Sequence, residues 1–176
     1  NLGAVLNDLG QLQDAELSIR KAIEFNPNLF NSHFLLGTIL LGQKKLQEAE
    51  QPLRKTIELK PDFFKAHLNL GAALQDLGQL QEAELSTRKS IELNPNLFQS
   101  HFLLSTILIG QNKLQEAELT LRKTIELKPD SAEVHLNLGA LLKERGQLQE
   151  AEISIRKAIE LKPDFFQAHF NLGNTL

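Results

Sequence analysis

The 34 residues from Pro61 to Asn94, PDFFKAHLNLGAALQDLGQLQEAELSTRKSIELN, are the stretch of sequence that decides the fold. They contain two segments in which apolar residues recur at helical spacing, residues 63–77 and 79–93. Gly78 lies between the two segments, and an Asn-Pro turn follows the second one. The pattern predicts a helix, a tight turn, a second helix and a stop.

The same unit fills the chain, because prolines recur every 34 residues at Pro27, Pro61, Pro95, Pro129 and Pro163. A fixed period of this length is typical of stacked helical repeats. We therefore divide residues 1–176, as a single array, into a partial repeat (1–29), four full repeats (30–63, 64–97, 98–131 and 132–165) and a partial repeat (166–176). Residues 1–68 and 69–136 differ at 16 positions and so share 52 of 68, which makes a pair of repeats the duplicated unit.

The ends of the helices lead to three local predictions. A residue in a left-handed conformation should end each first helix, at Gly10, Lys44, Gly78, Asn112 and Gly146. Lys44 is poorly suited to it, so we expect that turn to be strained or shifted toward Gly42. Residues after the prolines should cap the next first helix, namely Asp62, Asn96, Asp130 and Asp164.

The second helices carry Glu and Arg four residues apart, beginning at Glu16, Glu50, Glu84, Glu118 and Glu152. This order favours a structural ion pair on the solvent side of a helix. Pro52 lies within a second helix, where the loss of one backbone donor is expected to bend or delay the helix.

The unit resembles the tetratricopeptide repeat, and the resemblance covers the whole chain. It is carried by a leucine and a small residue in each first helix and by small residues in each second helix. These are Leu36-Gly37, Leu70-Gly71, Leu104-Ser105, Leu138-Gly139 and Leu172-Gly173, with Ala15, Ala49, Ala83, Ala117 and Ala151. The resemblance implies an all-α fold, a right-handed superhelix of antiparallel helix pairs (a TPR solenoid).

Composition narrows the classes of function. Hydrophobic residues make up 41% and charged residues 23% of the chain, and cysteine is absent. The longest apolar stretches begin at Phe34 and Phe102 and are about half of the roughly 20 residues that span a bilayer. A net charge of −3 argues against nucleic acid as a partner. We expect no nucleic acid or membrane partner, and a cytoplasmic location is the default.

Five histidines, His33, His67, His101, His135 and His169, also follow the period. They could be packing residues with one hydrogen-bonded nitrogen, pH-sensitive packing elements or ligands. Equivalent helices stand roughly 8–10 Å apart, and no second ligand type recurs beside the histidines, so we favour packing. No catalytic arrangement, metal site or cofactor is expected.

The resemblance places partner binding in a concave groove lined by the first helices. Residues three and four apart on a helix share one face. Starting from His67, this spacing gives the stripe of residues that is expected to face the groove. The predicted groove residues are Phe34, Leu35, Thr38, Lys65, Leu68, Asn69, Ala72, Gln75, Phe102, Leu103, Thr106, Leu136, Asn137 and Asn171. Phe34, Phe102 and Phe170 are either anchors for a partner or packing residues. Phe63-Phe64 and Phe165-Phe166 are expected to cover the seam between repeats.

The asparagines are the most informative residues of the groove. Asn69, Asn137 and Asn171 occupy one place in the repeat, which Leu35 and Leu103 occupy in the alternate repeats. A carboxamide both donates and accepts, so it can hold the backbone of an extended peptide. The alternative is that these asparagines are only solvated.

We therefore expect a non-catalytic scaffold that binds an extended segment of another protein. The alternative is the substrate-recruiting arm of a larger enzyme, such as a glycosyltransferase or sulfotransferase. Residues 1–6 and 171–176 align with each other, and polar capping repeats are lacking. Head-to-tail self-association or exchange of terminal helices is a further hypothesis, which a monomeric mass over a wide concentration range would contradict.

Overall fold

The computed structural model describes the backbone of residues 2–175 and the side chains of residues 11–175. These residues form ten α-helices and no strand, so the predicted all-α fold is confirmed. The helices are α1 (Leu2–Phe25), α2 (Phe30–Gly42), α3 (Leu46–Leu59), α4 (Phe64–Asp76), α5 (Leu80–Leu93), α6 (Phe98–Gly110), α7 (Leu114–Leu127), α8 (Ala132–Glu144), α9 (Leu148–Leu161) and α10 (Phe166–Gly173). Within the described part, no helix is long and apolar enough to span a membrane.

The helices are grouped in two compact units. Unit 1 is Asn1–Pro95 and contains α1 to α5, and unit 2 is Asn96–Leu176 and contains α6 to α10. In unit 1, α2 packs on α3 and α4 packs on α5, while α3 also contacts α4. In unit 2, α6 packs on α7, α8 packs on α9, and α9 also contacts α10. Each first helix therefore pairs with the second helix that follows it.

Small residues set the distance between paired helices. Ala49, Ala83, Ala117 and Ala151 are fully buried. A Cβ atom added to Gly139 would lie 2.5 Å from Cγ1 of Ile155, and one added to Gly37 would lie 2.7 Å from Cγ of Leu53. Such distances are far below van der Waals contact, so a side chain at Gly37 or Gly139 would force the facing Leu53 or Ile155 to move.

The turns between paired helices share one backbone conformation. φ is +59° at Lys44, +76° at Gly78, +60° at Asn112 and +76° at Gly146. In the first of these turns, the Lys45 N–H donates to the carbonyl of Leu40 and the Lys44 N–H to the carbonyl of Leu41, which is the Schellman pattern. The turn is not shifted toward Gly42, so Lys44 itself takes the strained conformation.

Gly10 does not form the predicted turn. Helix α1 runs from Leu2 to Phe25 without interruption, and α2 begins only at Phe30. A glycine within a helix costs about 1 kcal/mol relative to alanine, less than the several backbone hydrogen bonds that an uninterrupted helix keeps. The other turns form where two helices of 13 and 14 residues pack on each other, as α4 and α5 do.

The predicted caps of the first helices are also wrong. The residues that immediately precede these helices are Leu29, Phe63, Leu97, Ser131 and Phe165, and none makes a side-chain cap hydrogen bond. Asp62 lies one residue too early, inside a turn in which the Phe63 N–H donates to the Lys60 carbonyl over 3.2 Å. The Pro-Asp and Pro-Asn dipeptides therefore supply turn geometry instead of a cap.

The Glu–Arg pairs of the second helices are confirmed, with nitrogen to oxygen distances of 2.7–2.9 Å. Two of these arginines also reach the next second helix, Arg20 at 3.5 Å from Glu48 and Arg122 at 2.7 Å from Glu150, and Arg54 does the same with Glu82. Lys45 and Arg20 together lower the pKa of Glu16 to about 2. Such pairs at the surface contribute about 0–1 kcal/mol each, so they are a minor part of the stability of the array.

Pro52 leaves the bounds of its helix unchanged. Helix α3 has 14 residues, as do α5, α7 and α9, so the predicted delay is wrong. The buried proline loses one backbone donor, while its carbonyl accepts a hydrogen bond of 2.8 Å from Oγ1 of Thr56.

Candidate functional site

Thr38 and Asn69 connect two first helices at the surface of unit 1. Nδ2 of Asn69, on α4, donates to Oγ1 of Thr38, on α2, over 3.3 Å. The Thr38 hydroxyl donates in turn to the carbonyl of Phe34 over 2.9 Å, which leaves its lone pairs free to accept. Thr38 is exposed and Asn69 is half-buried, so the pair is accessible.

The Asn69 side chain keeps unused hydrogen-bonding capacity. Among the described residues, its bond to Thr38 is the only one it makes. A carboxamide has one acceptor oxygen and two N–H donors, so the oxygen and one N–H remain for a ligand. This combination matches the N–H and C=O groups of an extended backbone.

In unit 2 the equivalent place is a groove of about 290 Å³. Two first helices line it, with Thr106 and Ile109 on α6 and Asn137, Ala140, Leu141 and Glu144 on α8. Thr106 and Asn137 lie 68 residues after Thr38 and Asn69, so both units carry the same pair of side chains. Beside this pair, unit 2 presents an apolar floor and one carboxylate.

The histidines lie near the start of the first helices. Nε2 of His33, His67, His135 and His169 donates to the carbonyl of the proline six residues earlier, over 2.8–3.0 Å. His67 is only 7% exposed. The described residues contain no group of three His, Cys, Asp or Glu side chains that could hold a metal ion. The predicted packing with one hydrogen-bonded nitrogen is confirmed for His33, His67 and His135, whereas His169 makes the hydrogen bond but is exposed.

Family comparisons agree with this architecture. Models of the tetratricopeptide repeat match residues 1–29, 19–51, 64–97 and 108–172. The chain belongs to the tetratricopeptide repeat (TPR) family. The resemblance inferred from the leucine, glycine and alanine positions is thereby confirmed, and the chain is a helical TPR scaffold.

Solved TPR structures share the fold. YrrB, described as a TPR protein with an unusual peptide-binding site, matches 98% of this chain and 88% of its own, with a TM-score of 0.83 and 22% identity. MamA matches 93% of this chain and 95% of its own, with a TM-score of 0.85 and 21% identity. A thermophilic TPR protein of Thermus thermophilus matches 99% and 95%, with a TM-score of 0.70 and 20% identity. No curated protein sequence matches the chain.

The predicted groove residues differ in exposure. Leu35, Thr38 and Lys65 are exposed, and Leu136 is buried. The half-buried residues are Phe34, Leu68, Asn69, Ala72, Gln75, Phe102, Leu103, Thr106, Asn137 and Asn171. Thr38 and Asn69 are brought together in unit 1, and Thr106 and Asn137 line the groove of unit 2.

Leu136 does not belong to the groove. It is 7% exposed and packs in a core cluster with Ile155, Ala158 and Ala168. Adjacent helical residues point about 100° apart, so the residue before Asn137 faces the following repeat. The prediction for Leu136 is therefore wrong.

Several of the aromatic residues named in the sequence analysis make packing contacts. The Phe34 ring meets the Phe63 ring edge to face at 4.8 Å, which supports packing for Phe34 and places Phe63 at the seam. Phe165 packs against the core cluster of unit 2, as expected. Phe166 does not cover a seam, because it is 73% exposed.

The sequence interpretation missed Ala140, Leu141 and Glu144. These residues lie three, four and seven positions after Asn137 and thus share its face of α8. Centring the stripe on the asparagine instead of the histidine would have found them.

A larger cavity, of about 740 Å³, lies elsewhere in unit 1, among α1, α2 and α3. Its apolar wall includes Leu36, Leu40 and Pro52, and its rim includes Arg20, Glu48 and Arg54. The rim charges already pair, Arg20 with Glu48 and Arg54 with Glu50 and Glu82. Glu50 and Glu82 raise the pKa of the Arg54 guanidinium.

Proposed function

We propose that this TPR chain is a scaffold that binds an extended segment of another protein along its first helices. The observation that carries the proposal is the repeated Thr and Asn pair, Thr38 with Asn69 and Thr106 with Asn137. At each pair, an amide with spare donor and acceptor capacity lies beside apolar residues. That combination binds a peptide backbone without requiring a particular side chain.

The proposed binding surface consists of the exposed and half-buried predicted residues on α2, α4, α6 and α8 other than Phe34, whose ring packs on Phe63, together with Ile109, Ala140 and Glu144 from the groove of unit 2. Its members are Leu35, Thr38, Lys65, Leu68, Asn69, Ala72, Gln75, Phe102, Leu103, Thr106, Ile109, Asn137, Ala140 and Glu144. Asn171, on α10, occupies the equivalent place in the last repeat. The TPR protein YrrB, with its own peptide-binding site, supports this type of ligand.

The test is to replace both Asn69 and Asn137 with alanine. The double variant should bind a pool of random nine-residue peptides at least about fivefold more weakly, since each substitution removes about 1 kcal/mol of hydrogen bonding to the peptide. Fluorescence anisotropy measures the affinity, and the helical circular dichroism signal and melting temperature should stay nearly unchanged.

Asn96→Ala is the matched control, because Asn96 is exposed in a turn outside the groove. It should bind the pool as the wild type does. If the double variant unfolds, the asparagines are structural and the assignment of the groove is wrong.

We also propose that copies of the chain associate head to tail. Phe166 and Phe170 on α10 are 73% and 61% exposed, and their rings stack at 6.4 Å. On α1, Ile19 and Ala22 are half-buried, whereas the equivalent Ile155 and Ala158 are fully buried. Helix α10 of one copy would cover these positions of another, as first helices cover second helices within a repeat. A mass that stays monomeric over a wide concentration range would contradict this.

A further inference from the structure

We propose that the groove of unit 2 recognises a lysine or arginine side chain of the bound segment, and that the Glu144 carboxylate pairs with the charge of that side chain. This inference rests on the proposed function, because it assumes that an extended segment lies along the first helices. It adds the chemistry of the partner, a segment with a basic side chain opposite the end of α8.

The charge of the groove lining favours a basic side chain in the bound segment. Glu144 is the only ionisable residue among the six that line the groove. Within the described residues, Glu144 makes no salt bridge, and its side chain is exposed. A cation that enters the groove therefore meets an unpaired carboxylate and no competing positive group in the lining.

Several acidic residues on the second helices of unit 2 already form salt bridges, unlike Glu144. Glu118 pairs with Arg122 and Arg145, and Glu150 pairs with Arg122. Glu126 and Glu160 pair with lysines of their own helices. Their charges are already compensated, whereas the charge of Glu144 is available to a partner.

The position of Glu144 strengthens the preference. It is the last residue of α8, and the C-terminal end of a helix carries partial negative charge from its carbonyl groups. Lys143 is next to it in sequence but points about 100° away around the helix and does not line the groove. One turn before Asn137 on the same face lies Glu133, also exposed and without a salt bridge in the described part of the chain.

The shape of the groove fits a long basic side chain. Ile109, Ala140 and Leu141 provide an apolar floor within a volume of about 290 Å³. Lysine and arginine pack their methylene stems on such surfaces while the charged head reaches a polar edge. Asn137 and Thr106 would hold the adjacent peptide backbone.

Unit 1 offers an internal comparison. Asp76 ends α4 at the place of Glu144, but Lys65 stands where unit 2 has Glu133. The stripe on α4 thus carries one charge of each sign, whereas the stripe on α8 carries two negative charges. The preference for a basic side chain should therefore reside mainly in unit 2.

The test uses four pools of fluorescein-labelled nine-residue peptides, blocked at both ends and random in Ala, Val, Ser, Thr and Asn. The central residue is fixed as Lys, Arg, norleucine or Glu. Norleucine keeps the apolar stem of lysine and removes its charge. The wild-type chain should bind the Lys and Arg pools about three- to fivefold more tightly than the norleucine pool, and the Glu pool most weakly.

Glu144→Gln should remove this preference, because it weakens binding of the Lys and Arg pools about three- to fivefold more than binding of the norleucine pool. Asp130→Asn is the matched control, because it removes the same charge from an exposed turn residue outside the groove, and it should keep the preference. Equal binding of all pools by the wild type, or a preference that survives Glu144→Gln, would overturn the proposed role of Glu144. The proposed binding of an extended segment would still stand in that case. If no pool binds, the proposed function fails as well.

Discussion

At the scale of the residue, Lys44 holds a backbone conformation that suits glycine better. Its φ is +59°, and Gly78 and Gly146 occupy the same place in other repeats with a φ of +76°. A residue with a side chain costs about 1–2 kcal/mol in the left-handed region, and replacement by glycine removes this cost. Part of the resulting gain in stability is lost, because glycine is more flexible in the unfolded chain. Lys44→Gly should therefore raise the free energy of unfolding by about 0.5–1 kcal/mol, measured by urea titration.

The reverse change, Gly78→Ala, serves as the control and should lower the free energy of unfolding, because no atom lies within 4 Å of the added Cβ and only the backbone is affected. An unchanged or lower stability of Lys44→Gly would mean that the Lys44 side chain makes a compensating contact. The sequence predicted this left-handed residue, since the position is set by spacing within the repeat. It did not predict that the turn would keep its register, because that depends on the packing of α2 against α3.

At the scale of the element, close contact between α8 and α9 leaves no room for a side chain at Gly139. A Cβ on Gly139 would lie 2.5 Å from Ile155 and 3.1 Å from the carbonyl oxygen of Ala151. Gly139→Ala should lower the free energy of unfolding by about 1–3 kcal/mol, the usual cost of overpacking. Urea titration with circular dichroism measures it.

Gly173 provides a matched control, because it is the equivalent residue of α10 and no atom lies within 4 Å of its added Cβ. Gly173→Ala should be neutral or should stabilise the helix by up to about 1 kcal/mol. If Gly139→Ala and Gly173→Ala lower the free energy of unfolding by the same amount, the close approach of α9 to α8 is not the reason why Gly139 is needed.

The elements also show where sequence interpretation reached its limit. Periodicity predicted the helix pairs, because apolar spacing and turn residues are local properties. It failed at Gly10, where the choice between a turn and a continuous helix depends on whether a paired helix packs back. It failed at Asp62 as well, because turn and cap residues look alike in sequence and differ by one position in the structure.

At the scale of the whole molecule, the duplication of a repeat pair places the same side chains on both units. Sequence comparison showed that Asn69 and Asn137 occupy equivalent places in the two repeat pairs. It could not reveal that the Asn69 side chain donates a hydrogen bond to Thr38 of the preceding repeat. Such a contact depends on how first helices approach each other. The same holds for Leu136, which the helical stripe placed in the groove and which packing places in the core.

The measurement that tests the central claim most directly is NMR mapping of a bound peptide on the isotope-labelled chain. With the tightest-binding Lys peptide as probe, the largest amide shift changes should fall on α2, α4, α6 and α8, around Asn69 and Asn137. Amides of the second helices near the exposed residues Leu85 and Leu119 should change little. Changes concentrated on the second helices, with none on the first, would contradict the assignment of the binding surface.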